Sequence, residues 1–174
     1  MKRLALLLLL TSCNQSAELG TLHAAEQKIS AAQGGLVAAP AGDALAGASL
    51  QLPPKALSAD ATVTLDPGPA VLVADPPPAG PVVLFSPLIA LQEPALVTLP
   101  LRLGAGQSAA DVLVIVSDGA GHLGTIEHSL LTLEGNQVRF ATRHLGLFEA
   151  AALLRCEEDY CPNGWSCSSH ECHP

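Results

Sequence analysis

From residue 34 onward the chain alternates apolar and polar positions with a period of two. Ala48, Leu50 and Leu52 alternate with Ser49 and Gln51. Ala61, Val63 and Leu65 alternate with Thr62 and Thr64, and Val97, Leu99, Leu101 and Leu103 with Thr98, Pro100 and Arg102. Successive side chains of a strand point to opposite faces, so each stretch predicts a half-buried strand with one apolar and one wet face. Residues 112 to 116 (VLVIV) are apolar throughout and predict a central strand covered on both sides. Val138 and Phe140, then Leu145 and Leu147, complete the set. Turn chemistry separates these runs at Pro53-Pro54, Asp66-Pro67-Gly68, Pro76-Pro77-Pro78, Asp118-Gly119 and Gly135-Asn136. About eight to ten short strands with no helical pattern between them predict an all-β antiparallel β-sandwich over residues 34–154.

Upstream the pattern differs. Residues 14–33 are polar and alanine-rich, with Leu19, Leu22 and Ile29 at near-helical spacing and Gly34 where a helix would stop. This predicts a tether over 13–33 with, at most, a marginal surface helix. Before it, Lys2 and Arg3 precede an apolar run at residues 4–10, the length of an export signal and far short of the ~20 residues that span a bilayer. The run ends Leu10-Thr11-Ser12-Cys13, which resembles the lipobox of bacterial lipoproteins. That resemblance implies cleavage after residue 12 and acylation of Cys13, with anchoring to a membrane through lipid, not through a spanning segment. Each buried CH₂ contributes about 0.8 kcal/mol, so two or three acyl chains hold where one is marginal. Asn14 stands where aspartate would signal inner-membrane retention in such lipoproteins, so the expected location is the cell envelope at the outer membrane.

Four segments carry a second resemblance: residues 34–65 (GGLVAAPAGDALAGASLQLPPKALSADATVTL), 85–103 (FSPLIALQEPALVTLPLRL), 111–127 (DVLVIVSDGAGHLGTIE) and 138–151 (VRFATRHLGLFEAA). Together they resemble the ZU-five domain, named for the zonula occludens scaffold and the Unc-five receptors. The shared features are a Gly-Gly start, a strand ending Pro-Pro-x-Ala-Leu, a Leu-Pro-Leu strand, a strand ending near Asp-Gly and a closing Thr-x-His-Leu-x-x-Phe. The chain departs from the pattern between Pro87 and Pro94, which lacks the usual glycine and aromatic, and after Asp118-Gly119, where His122-Leu123 stands in place of a tryptophan. The resemblance implies a ZU-five-like sandwich serving as an interaction scaffold, without a catalytic set.

Composition narrows the choices. Sixteen acidic residues face eight basic ones, a formal net charge of −8, and loss of Lys2 and Arg3 with the signal makes the mature chain more acidic still. Nucleic-acid binding, which needs a basic face, is excluded as an expectation. Three Phe, one Tyr and one Trp leave the core to Val, Leu, Ile and Ala.

Gly119-Ala-Gly121-His-Leu-Gly124 spells G-x-G-x-x-G, but Asp118-Gly119 is also a hairpin signal, and Thr125 to Leu133 reads as two short strands or one bent one, not as the helix a pyrophosphate site requires. No cofactor is expected. A hydrolase needs a nucleophile, a base and an orienting acid. Ser117, Asp118, His122, His128, Ser129 and His144 supply those types without a local signature, so the chain is not expected to be an enzyme. A histidine-based envelope hydrolase using His122, His128 or His144 is the rival reading.

The tail CEEDYCPNGWSCSSHEC places Cys156, Cys161, Cys167 and Cys172 within seventeen positions. In an exported chain, a segment of residues 155–174 too short to build a core is expected to be stapled by two disulfides, with Cys13 taken by lipid so that the odd count becomes even. A zinc site using the same cysteines with His170 and His173 is the alternative, and no metal is the expected state. Four cysteines allow three connectivities; the interlaced one, Cys156 with Cys167 and Cys161 with Cys172, is favoured. Pro162-Asn163-Gly164 would present Trp165 to a protein or polysaccharide partner in the envelope.

Overall fold

The computed structural model describes residues 23–154 and the two short strands Ser166–Ser168 and Glu171–His173. Cys13, Cys156, Cys161 and Trp165 lie outside the described residues. The main body contains eleven strands: β1 (Ala25–Ile29), β2 (Gly35–Ala38), β3 (Ser49–Leu52), β4 (Ala61–Pro67), β5 (Val83–Ser86), β6 (Ala90–Pro100), β7 (Gln107–Ser117), β8 (Leu123–Ile126), β9 (Thr132–Glu134), β10 (Gln137–His144) and β11 (Leu147–Leu154). They form two antiparallel sheets, one ordered β1-β4-β5-β11-β7-β8 and the other β2-β3-β6-β10-β9. β12 (Ser166–Ser168) and β13 (Glu171–His173) make a separate antiparallel ladder in which Cys167 and Cys172 are Cα partners. The fold is all-β, and its two facing sheets are consistent with the expected sandwich.

The period of two explains what the sheets bury. Val37, Leu50, Leu52, Val97 and Leu99 from one sheet and Ile29, Val63, Leu65, Val112 and Val114 from the other enter a single core. Aliphatic side chains dominate it, and all three phenylalanines join them. Phe148 on β11 stacks at 5.4 Å from Phe140 on β10 and 6.1 Å from Phe85 on β5, so aromatic contact ties the two sheets together. At about 25 cal/mol per Å² of apolar surface removed from water, burial of this set is the main stabilising contribution.

Two expectations need correction. Residues 25–29 are not helical: they form strand β1, antiparallel to β4, with Ala25 opposite Leu65 and Ile29 opposite Ala61. Leu19 and Leu22 lie outside the described residues; Ile29 takes a strand position because it is buried in the shared core, with its side chain against Gly35. Among the described residues, sheet structure therefore begins at Ala25, upstream of the Gly34 start expected. The strand expected to reach Leu103 ends at Pro100, whose ring supplies no ladder donor; Leu101 stays buried and Leu103 is exposed.

Residues 68–82, between β4 and β5, form a proline-rich strap beside and over β11. Pro78 bridges to Ala151, the Ala79 N–H donates to the Ala150 carbonyl at 2.7 Å, and the Ala152 N–H donates to the Pro77 carbonyl at 3.1 Å. The alternation of β11 sends Phe148, Ala150 and Ala152 into the core and Glu149 to the opposite face, where it is wholly buried.

Strand direction fixes the ends of the molecule. β1, β5 and β7 run one way and β4, β11 and β8 the other. The chain enters β1 and leaves β11 at one end, while the loop after β7 lies at the opposite end.

Candidate functional site

At that far end, a cleft of about 470 Å³ opens between the β7–β8 hairpin and the second half of β10. Its floor is apolar, from Val116, Ile126, Leu145 and Phe148, and its rim carries Ser117, Asp118, His122, Thr142, Arg143 and His144.

The hairpin loop is built by its glycines and one aspartate. Ser117 pairs with Leu123, and the five intervening residues reverse the chain. Gly119 and Gly121 have φ of 78° and 98°, a region costly for other residues. The Asp118 carboxylate closes the loop: Oδ1 accepts the N–H of Ala120 at 2.8 Å and of His122 at 3.2 Å. Its Oδ2 meets His122 Nδ1 at 2.6 Å. That hydrogen bond, with the charge attraction behind it, raises the His122 pKa above its ordinary value. The same bond, joined by the Ala120 N–H, lowers that of Asp118. Both groups are in water, so the pair orders the loop more than it stabilises the fold. The glycine motif thus joins two strands and opens no helix.

His144 ends β10 on the other rim, its N–H donating to Thr142 Oγ1 at 3.2 Å, and Arg143 donates from Nη1 to the Gln92 carbonyl at 2.5 Å. The fold thus brings together Ser117, Asp118, His122 and His144. His128 stands apart with Ser129 in a single 3-10 turn (His128–Leu130), with Nδ1 3.2 Å from the Val112 carbonyl, beside a smaller hollow of about 230 Å³ that also includes Asp111 and Glu127. Among the described residues no hydroxyl or thiol is hydrogen-bonded to the His122 ring. Ser117 Oγ accepts the Gly119 N–H at 3.3 Å. Among the described residues, no group of three or more His, Cys, Asp or Glu side chains is arranged to hold a metal ion, and no helix is long and apolar enough to cross a membrane.

Sequence reasoning named Ser117, Asp118 and His122 on the loop and His144 on the opposite rim, without pairing Asp118 to His122, and it missed the rest of that rim. Thr142 and Arg143 lie in a stretch that reads only as a closing strand. The apolar floor arises from β7, β8, β10 and β11 meeting at one end, a long-range coincidence without a local signature. No family model matches the chain, and no curated protein matches it in sequence.

Proposed function

We propose that the protein is a non-catalytic, lipid-anchored lipoprotein of the cell envelope, held at the outer membrane through acylated Cys13 and acting as a binding or scaffold module. In this reading the two-sheet body is ZU-five-like, the tail is stapled by Cys156, Cys161, Cys167 and Cys172, and Trp165 contributes to partner contact. The partner is a protein or polysaccharide of the envelope, and no cofactor or nucleic acid takes part.

One observation carries the non-catalytic reading: the far-end cleft holds an Asp118–His122 pair, yet among the described residues no nucleophile is hydrogen-bonded to the ring, and Ser117 is engaged with the loop backbone. The topology supports the anchoring half. A lipid-bearing segment upstream of β1 and the tail after β11 would share one end, leaving the cleft at the end turned away from the bilayer. Metabolic labelling with a fatty-acid probe tests the anchor: Cys13→Ser should abolish labelling and membrane retention, and retained labelling would overturn it. Cross-linking in intact cells should recover a defined partner.

The rival reading, an envelope hydrolase, draws its support from the same Asp118–His122 pair. Hydrolysis of ester, peptide or glycan panels by the purified protein, abolished by His122→Ala, His128→Ala or His144→Ala in a folded variant, would establish it and displace the scaffold role.

A further inference from the structure

Among the described residues the cleft is bounded by two unpaired strand edges, which gives it a backbone chemistry as well as an apolar floor. Among the described strands β8 is the last of its sheet, bonded only to β7. β9 covers β10 only from Gln137 to Arg139, so among the described strands Ala141 to His144 have β6 on one side and none on the other. Half of the N–H and C=O groups along each such edge point away from the sheet, and burying them without partners costs free energy. A groove flanked in this way offers an incoming chain a ladder as well as a place to bury side chains.

Other edges are guarded, as natural sheet edges are. β1 carries Glu26 and Lys28. On β9, Glu134 is ion-paired to Arg139 at 2.8 Å. β2 lies against β1 across the Ser30–Gly34 bridge. By contrast β8 reads Leu-Gly-Thr-Ile, without charge or proline, and Leu123 is 55% exposed. Gly124 leaves the edge bare: a Cβ there would meet only Val116 Cγ2, at 3.1 Å. Glycine within a strand marks places where another backbone comes close. The charges also select. On a chain of net charge −8, the rim carries the Arg143 guanidinium beside an Asp118–His122 pair whose two members meet each other at 2.6 Å.

We propose that this seam accepts an extended polypeptide segment of a partner protein, added as a strand along β8, with apolar side chains at alternate positions and an acidic group near Arg143. Such strand addition takes affinity from backbone hydrogen bonds and specificity from alternate side-chain pockets. The four residues of β8 offer about 13 Å of edge at ~3.3 Å per residue. The proposal rests on the binding-module reading and gives it a site and a partner class.

The test uses the full chain in detergent and fluorescein-labelled, capped seven-residue peptides alternating valine and threonine, ended by Asp, Asn or Lys. Anisotropy should show saturable binding in the order Asp, Asn, Lys. N-methylation at alternate residues of the Asp peptide should weaken binding at least tenfold, because it removes ladder donors while keeping the apolar surface. Leu123→Lys, a surface change that guards the edge, should do the same with an unaltered circular dichroism spectrum, and Arg143→Gln should erase the preference for Asp over Asn. Equal binding of the N-methylated peptide, indifference to Leu123→Lys, or no binding of any peptide overturns the proposal. The binding-module reading fails separately: it falls if the peptides are cleaved, and it survives failure of the groove if cellular cross-links map to the tail or another face.

Discussion

Glu149 should make the fold less stable as the pH rises. The carboxyl is 0% exposed under the strap. Its Oε2 accepts the Leu72 N–H at 2.7 Å, the Val73 N–H adds a second stabilising contact, and Oε1 has no partner among the described residues. Among the described residues no cation is paired with it. Burial raises its pKa, and the two N–H donors oppose without cancelling. The direction decides the sign: the folded state holds the proton more tightly than the unfolded chain does. The stability this contributes is complete below the ordinary carboxylate pKa and is lost as pH rises through the folded one.

Glu149→Gln removes the ionisation and keeps both the shape and an acceptor for Leu72. Losing charge assistance to the N–H donors costs about 1 kcal/mol, and relieving a buried charge with a bare oxygen returns somewhat more. Since desolvation outweighs the donors, the variant should be more stable than the parent by about 1 kcal/mol at pH 8, a rise of about 4 °C in Tm. The gain should vanish or reverse at pH 4.5. Thermal unfolding followed by circular dichroism across that range gives the difference directly. A parent-minus-variant gap independent of pH, or a variant less stable at pH 8, would refute the reasoning and mean that Oε1 is satisfied.

Three further outcomes are expected. Gly34→Ala should destabilise by about 3 kcal/mol in urea titration, because φ is +71° and the new Cβ would lie 2.2 Å from the Leu52 carbonyl oxygen; a loss under about 1 kcal/mol would show that the turn relaxes freely. Asp118→Asn should lower the His122 titration midpoint seen by proton NMR, since the carboxylate holds the imidazolium; an unmoved midpoint would mean the pair does not form in solution. Reductant should change the emission of Trp165, the only tryptophan, while the β-sheet circular dichroism stays constant, because residues 14–155 contain no cysteine; a response to a zinc chelator and none to reductant would make the tail a metal site.

The fold was legible where local pattern and long-range packing agree. β3, β4, β6 and β7 overlap the alternating or apolar runs because each lies inside a sheet, where one face or both must be dry, though β6 and β7 start earlier than their runs and β6 stops short of Leu103. Gly135-Asn136 marks the two-residue turn that sets Glu134 opposite Gln137. β1 was not legible. Its sequence, Ala-Glu-Gln-Lys-Ile, buries only Ile29, and an edge strand so polar announces neither a period of two nor a β-rich composition. What makes it a strand is pairing with β4, a contact made across more than thirty positions of chain.

Glu149 and the cleft show the same limit from the other side. In the run Leu145 to Leu154 a single carboxylate reads as an interruption of an apolar strand, and alternation alone would place it in water. Its burial comes from residues 68–82, a proline-rich connection that by composition should be a surface loop, but whose Leu72 N–H reaches the carboxylate 77 positions away. Covering that face turns β11 into a strand dry on both sides, which is what its apolar composition required from the start. The rims of the cleft have the opposite origin. They exist because β9 is three residues long and, among the described strands, leaves Ala141 to His144 with β6 alone beside them. Where a connection covers a sheet, function is constrained to the faces and edges left bare; among the described edges β8 carries neither charge nor proline, and it starts at the end of the body away from the entry to β1 and the exit from β11.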